Sequence, residues 1–175
     1  MAGLSLYNYN STSDTTWEAG KSYSIYDIYK YAGFYYYAIT NHNSGTTFNS
    51  AYSNGVKVFS GQNKPFFFFI PSYNSELNIQ PTVKRTQFGD GYVQRVPENI
   101  NSILLPFNLT FDRRTDAETR AILHFLNARK GSESFVFLPP FPYNQYKLFV
   151  CENWTHSQVF VDNHTIRAVF QETPI

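Results

Sequence analysis

The chain has 175 residues, of which 15% are charged and 19% aromatic, and its formal net charge is +1. Because the charges nearly balance, the chain lacks the broad positive field that attracts nucleic acid. No apolar run approaches the roughly 20 residues of a membrane-spanning helix. A single cysteine, Cys151, excludes an internal disulfide, and the first residues lack the pattern of a secretory signal.

Tyrosine and phenylalanine divide the chain into two parts. Ten of the 14 tyrosines lie in residues 1–64, whereas 14 of the 17 phenylalanines lie in residues 65–175. Phenylalanine favours dry cores, and the hydroxyl of tyrosine suits half-exposed surfaces. The turn-rich stretch 60–65 is typical of a linker or a tight connection. We therefore predict a small Tyr-rich β module over residues 1–64 and a second domain over residues 65–175.

The first part reads as three strands. Apolar and polar residues alternate from Ser22 to Tyr31, Ala32-Gly33 supplies a turn, and Phe34 to Ile39 returns as the second strand of a hairpin. A short strand follows at Val56 to Phe59. Three strands bury little surface, so we expect this part to pack on its neighbour.

The second part reads as several strands and one helix. The pattern predicts strands at 82–88, 92–96, 103–111, 134–138, 146–152, 158–161 and 165–170, and a helix at about 115–130. The first two strands flank the turn Gly89-Asp90-Gly91, and the last two are joined by Asp162-Asn163-His164. We predict a mainly β fold with one flanking helix.

The helix has recognisable ends. Thr115 and Glu118 form a capping-box pattern, and Gly131 follows Arg129 and Lys130 as a stop signal. The apolar positions that share one face are Ala121, Ile122, Phe125 and Leu126. We expect this face to be buried.

Candidate chemistry is sparse. The four histidines, His42, His124, His156 and His164, show none of the short spacings of metal sites. His124 is expected at the surface or half-buried, and Cys151, within an apolar strand, is expected to act as a small hydrophobic residue. The carboxylates are scattered, with no motif that pairs an acid with a nucleophile. We predict no enzyme, no cofactor and no metal site.

An ordered set of motifs runs through the second part. It comprises Pro81-Thr82-Val83, Phe88-Gly89-Asp90-Gly91-Tyr92, Gln94-Arg95, Asn101, Phe125-Leu126, Gly131, Phe135-x-Phe137-x-Pro139-Pro140, Cys151-x-x-Trp154 and Ile166 to Glu172. In these motifs the chain resembles the phage minor tail protein M family, the lambda-type tail-tip proteins. Asn99 departs from the pattern, because the family usually has glycine there.

The resemblance implies a structural role in the virion. It implies a β-barrel or sandwich of the tail-tube type that forms a ring, expected to be a hexamer, at the distal end of a long non-contractile (siphovirus) tail. The ring would be assembled in the host cytoplasm and would join the tail tube protein to the tip hub. The motif residues then become candidates for contacts between subunits: Phe88, Gly89, Asp90, Gly91, Tyr92, Gln94, Arg95 and Trp154.

Arg95 is the most specific of these candidates. It follows the Gly-Asp-Gly turn, and we expect it to form an ion pair or carbonyl contacts that brace the hairpin or the neighbouring subunit. The alternative is an arginine that is simply solvated at the surface.

The N-terminal pattern, from Trp17 to Ala38, resembles small chitin-binding-type carbohydrate modules. In such modules sugar rings stack on exposed aromatic side chains. The candidates here are Trp17, Tyr36 and Tyr37, and a host surface glycan would be the partner. The alternative is that the tyrosine rows form the core of this part and its docking face on the ring. A module this small needs its aromatic residues for folding, which favours the alternative.

Overall fold

The computed structural model describes residues 15–72, 76–77, 83–87, 93–97 and 104–174. Strands dominate these residues and one long helix lies among them, so the predicted mainly β fold with a flanking helix is confirmed. No helix in the described ranges is long and apolar enough to cross a membrane.

The elements follow one another in short succession. The strands of the N-terminal part are β1 (Ser22–Tyr23), β2 (Ile28–Tyr31), β3 (Phe34–Ala38), β4 (His42–Asn43) and β5 (Ser53–Asn54). The next strands are β6 (Val56–Phe59), β7 (Gln62–Phe67), β8 (Glu76–Leu77), β9 (Val83–Gln87), β10 (Val93–Pro97) and β11 (Pro106–Arg114). Helix α1 (Asp116–Arg129) precedes β12 (Phe135–Phe137), β13 (Lys147–Phe160) and β14 (Asn163–Glu172).

The predicted hairpin of the N-terminal part is confirmed from β2 onward. β2 pairs antiparallel with β3, and the connecting Ala32 and Gly33 have φ angles of 48° and 86°, as a tight hairpin turn requires. The expected continuous strand from Ser22 is wrong. A turn interrupts it, in which Ser24 donates its N–H to the Asp27 carboxylate at 2.7 Å and Tyr26 has φ 67°.

Seven strands form one open sheet in the order β6-β7-β12-β13-β14-β11-β8. β6 and β8 are its two edges, so the described strands do not close into a barrel. Stretch 60–65 is not a linker in this sheet. Ser60 and Gly61 make a tight turn between β6 and β7, which pair with each other, so the predicted strand at 56–59 belongs to the large sheet. The domain boundary near residue 64 stays a prediction.

The two longest strands form a hairpin. The predicted strands 146–152 and 158–161 are one 14-residue strand, β13, which pairs antiparallel with β14. Irregularities between Cys151 and Asn153 and between Gln158 and Phe160 interrupt the register, and these breaks explain why the sequence pattern looked like two strands. Asp162, at φ 54°, makes the turn.

The helix begins as predicted but uses only half of the capping box. The Thr115 hydroxyl accepts the N–H of Glu118 at 3.3 Å. The Glu118 carboxylate instead accepts from Arg114 at 2.8 Å, because the arginine lies one helical turn before it. At the other end, Lys130 is left-handed with φ 52° and Gly131 follows with φ 71°, which confirms the predicted stop.

Helix α1 covers a core in which phenylalanine dominates. The predicted stripe is buried, as Ala121, Ile122 and Leu126 are 0% exposed and Phe125 is 1% exposed. Phe67 lies near the centre, with its ring centroid 5.0 to 5.6 Å from those of Phe170, Phe125 and Phe111. Such edge-to-face contacts are a favourable arrangement for large rings in a core.

Phe67→Ala tests whether this aromatic core determines stability. Because Phe67 is 1% exposed, we expect the substitution to lower the free energy of unfolding by about 3–5 kcal/mol. The matched control is Phe160→Ala, whose ring is 71% exposed and whose effect should stay within about 0.5 kcal/mol. Urea unfolding of the two variants measures both values, and equal losses would contradict this account of the core.

Candidate interface and binding surfaces

Tyr37 joins the N-terminal part to the helix. Its hydroxyl lies 3.0 Å from Nδ1 of His124, and both side chains are buried. The Tyr37 ring also packs against Phe69 and Phe125, at 5.9 and 6.1 Å between centroids. Burial raises the pKa of Tyr37, so the hydroxyl remains protonated at neutral pH. The expectation that His124 lies near the surface is wrong, because β3 covers this turn of the helix.

The three candidate sugar-stacking residues do not share one surface. Tyr37 is 0% exposed and has no ring face open to a ligand. Trp17 and Tyr36 are half-buried and pack edge-on against Phe48, at 5.9 and 4.8 Å between centroids. Phe48 also stacks on Tyr31 at 4.0 Å. The aromatic side chains of this part are therefore largely engaged with one another.

The sequence alone did not identify Phe48 as a core residue of this part. Phe48 is an isolated aromatic residue in a polar loop, and the one indication of its burial is that the loop around it has no other large apolar side chain.

A hydrogen-bonded chain of three side chains connects the long hairpin to the start of the helix. His156 Nε2 lies 2.9 Å from His164 Nδ1, and His164 Nε2 lies 2.5 Å from the Asp116 carboxylate. In the tautomer with the proton on Nε2, His164 donates to Asp116 and accepts from His156. Burial, together with the nearby His164, lowers the pKa of His156.

The sequence spacing did not reveal this cluster, because cross-strand pairing in the hairpin brings the two histidines together. It is a chain of contacts rather than a set of converging ligands. The described residues contain no group of three His, Cys, Asp or Glu side chains placed to hold a metal ion.

Cys151 lies in the interior of the sheet. It is 3% exposed on β13, and burial raises the pKa of its thiol to about 12. The thiol therefore stays neutral and packs as a small hydrophobic group, as the sequence predicted.

An apolar groove is lined mainly by the residues that end and follow β7 and β12. Its volume is about 930 Å³, and its walls come from Phe66 to Ser72 and from Phe137 to Phe141, together with Asn54, Asn144 and Tyr146. None of these lining residues carries a charge. Two apolar side chains stand exposed among them, since Phe141 is 91% and Ile70 is 77% exposed.

The motif residues fall in different places. Strands β9 and β10 pair as a separate two-stranded sheet in which Gln94 faces Thr86 and Arg95 faces Arg85, and these four side chains are exposed. Trp154 lies elsewhere, half-buried against the main core. The motif from Phe88 to Tyr92 lies outside the described residues, so its predicted contacts stay predictions.

The comparisons with known proteins identify the second part of the chain. A family model described as phage minor tail protein matches residues 65–173. The chain belongs to the phage minor tail protein family. It is 33% identical over 75 residues to the tail tip protein M of Escherichia phage lambda, a match that covers 43% of this chain and 67% of that protein. The predicted family resemblance is confirmed.

One further similarity is to a solved structure of a tail. The tail of an empty GTA particle, determined with C6 symmetry, matches at a TM-score of 0.43 and 9% identity over 69% of this chain and 90% of that one. As a minor tail protein, the chain is a structural component of a phage tail and thus of the virion. Residues 15–64, with the aromatic cluster around Phe48, lie outside the family match.

Tyr37→Phe tests the link between the N-terminal part and the helix. Removing the hydroxyl deprives the buried His124 Nδ1 of this partner, so we expect a loss of about 1–3 kcal/mol in the free energy of unfolding. Tyr31→Phe is the matched control, because Tyr31 is 38% exposed, and it should cost less than about 0.5 kcal/mol. Denaturant unfolding compares the two, and a Tyr37→Phe protein as stable as wild type would contradict a structural role for this hydrogen bond.

The Cys151 thiol predicts a dependence of stability on alkaline pH. Its folded pKa is raised from 9.0 to about 12. The thiol therefore stabilises the folded state fully below pH 9.0 and loses this contribution as the pH rises toward 12, because the unfolded chain ionises first. One unit above pH 9.0, wild type should have lost about 1.4 kcal/mol more, relative to neutral pH, than Cys151→Ala. Unfolding curves of both proteins at neutral pH and at this alkaline pH measure the difference, and parallel losses would show that the thiol is accessible.

Proposed function

We propose that this minor tail protein forms a ring at the distal end of a long non-contractile tail and joins the tail tube to the tip hub. The observation that carries the proposal is the family match over residues 65–173, supported by the similarity to a tail tip protein of phage lambda. We propose six subunits in the ring, and a mechanical role without catalysis.

The surfaces of the described residues support the proposal that the protein works as part of an assembly. Ile70, Phe141, Phe160 and Val161 are between 71% and 91% exposed, and large apolar side chains at this exposure favour association. The open sheet also leaves β6 and β8 as edges, where unpaired backbone groups are available to a neighbour. A subunit that closes a ring needs two different contact surfaces, one toward each neighbour.

Arg95 is the residue that we propose for a contact between subunits. It lies opposite Arg85 on an exposed two-stranded hairpin, and like charges placed directly across a ladder destabilise it. A two-stranded hairpin is also marginal in water when it stands alone. Within the described part of the chain no carboxylate lies within ion-pair distance of Arg95. Carbonyl or carboxylate oxygens of a neighbouring subunit would relieve the repulsion.

For the N-terminal part we propose docking on the ring domain rather than glycan binding. Tyr37 is buried against the helix, and Trp17 and Tyr36 pack on Phe48 instead of presenting a common flat surface. This arrangement uses the aromatic residues for packing. The N-terminal part then moves with the ring domain as one body.

Complementation tests the ring and the role of Arg95 together. A phage whose own copy of the gene is inactivated is supplied with wild type, Arg95→Ala or the matched control Arg120→Ala, whose residue lies exposed on α1. We expect wild type and Arg120→Ala to restore complete tails, and Arg95→Ala to lower their yield about tenfold, the effect of one lost interfacial charge contact. Electron micrographs count the tails, and mass spectrometry locates the protein in purified virions.

The two parts of the proposal fail separately. If the protein is absent from purified virions, or if tails without it remain complete, the ring function is wrong. If Arg95→Ala supports normal tails while remaining as stable as wild type, only the contact at Arg95 is wrong.

A further inference from the structure

The far end of the β13–β14 hairpin carries an apolar tip. Val159, Phe160 and Val161 are consecutive and are 54%, 71% and 89% exposed. The register irregularity between Gln158 and Phe160 places Val159 outside the regular ladder. We call these three residues the tip. Three adjacent apolar side chains on a turn form a small convex hydrophobic knob.

The tip is held in place by the start of the helix. The Asp162 carboxylate accepts the N–H of Asp116 at 2.7 Å, and Asp116 in turn binds His164. The only acidic side chain of the turn is therefore turned toward the helix. A knob that is already ordered loses little conformational entropy when it binds, which favours binding.

The tip does not occupy the groove of its own chain. Tyr146, which lines one part of the groove, immediately precedes β13, whereas the tip begins at the other end of that 14-residue strand. Ile70, in another part of the groove, accepts at its carbonyl oxygen from Arg114, which lies opposite His164 near the tip. The three side chains of the tip are exposed, so no groove covers them within the single chain.

We infer that the tip of one copy inserts into the groove of a second copy. The knob is convex and apolar, and the groove is concave and lined by uncharged, mostly aromatic, proline and aliphatic residues. A charged partner would lose its hydration in this groove without gaining an ion pair, whereas the tip brings no unpaired charge. The inference rests on the proposed ring and names two surfaces that could build it.

This contact is heterologous, because it joins two different surfaces of identical chains. Each copy then has one donor surface and one acceptor surface, and successive copies close into a ring if the rotation between them permits.

Single substitutions on each surface test the contact in the full chain. Phe160→Asp places a charge on the tip and Ile70→Asp places one in the groove. Both residues are exposed, so neither change should disturb folding. Ile25→Asp is the control, at a residue 42% exposed in the N-terminal part. Sedimentation velocity over a range of concentrations measures the dissociation constant of self-association. We expect this constant to rise about tenfold for Phe160→Asp and Ile70→Asp and to stay at the wild-type value for Ile25→Asp.

Mixing the two variants gives the sharper result. The Ile70→Asp chain keeps an intact tip and the Phe160→Asp chain keeps an intact groove, so the mixture should form one-to-one dimers that do not grow further. Variants with one added cysteine give a second readout. Val161→Cys mixed with Ile70→Cys should form a disulfide between the two kinds of chain faster than either forms with itself, because the proposed contact brings the tip of one chain to the groove of the other. Cys151 is buried and does not compete.

Three outcomes would overturn the inference. These are a wild-type chain that stays monomeric at every concentration, variants that associate as wild type does, and a mixture that forms no dimer. If one of these occurs while the protein is found in purified tails, the tip–groove contact is wrong and the proposed ring function stands. If the protein is missing from tails although the mixture forms dimers, the ring function fails and the contact between copies stands.

Discussion

The contact between Tyr37 and His124 joins strand β3 of the N-terminal part to helix α1 of the minor tail protein domain. A buried hydroxyl and a buried imidazole nitrogen each need a partner, and at 3.0 Å each supplies the other. Around this hydrogen bond, Phe69 and Phe125 exclude water, so the link is both polar and packed. The orientation of β3 on the helix is therefore specific, which hydrophobic burial by itself does not ensure.

The aromatic composition serves two purposes in this fold. Phenylalanines such as Phe67 and Phe170 fill the space between helix and sheet, where edge-to-face contacts pack large rings tightly. Others, such as Phe141 and Phe160, stand in solvent in the single chain. Few charged residues are available to cover such a surface, because only 15% of the chain is charged. A subunit of this composition is suited to an assembly in which neighbours cover what it leaves exposed.

The start of helix α1 and the end of the β13–β14 hairpin are connected away from the core. Asp116 binds His164 through its carboxylate and the Asp162 carboxylate through its N–H, so the first turn of α1 and the end of the hairpin hold each other. An acidic residue is favourable in the first turn of a helix, because it meets the positive end of the helix dipole. The helix is packed on the core, and its first turn therefore restrains the hairpin tip.

The sequence by itself determined the local features whose causes lie within a few residues. The β2–β3 turn at Ala32-Gly33, the helix from Thr115 to its stop at Gly131 and the burial of Cys151 depend on short-range geometry and on apolar patterning, and all were predicted. The motifs shared with the minor tail proteins were equally local. Only the tertiary structure decided which distant segments meet: that β6 joins the large sheet, that Tyr37 and His124 are buried together, and that His156, His164 and Asp116 form one chain. Pairing between strands and packing between layers bring together residues far apart in sequence, and no periodicity within either segment records its partner.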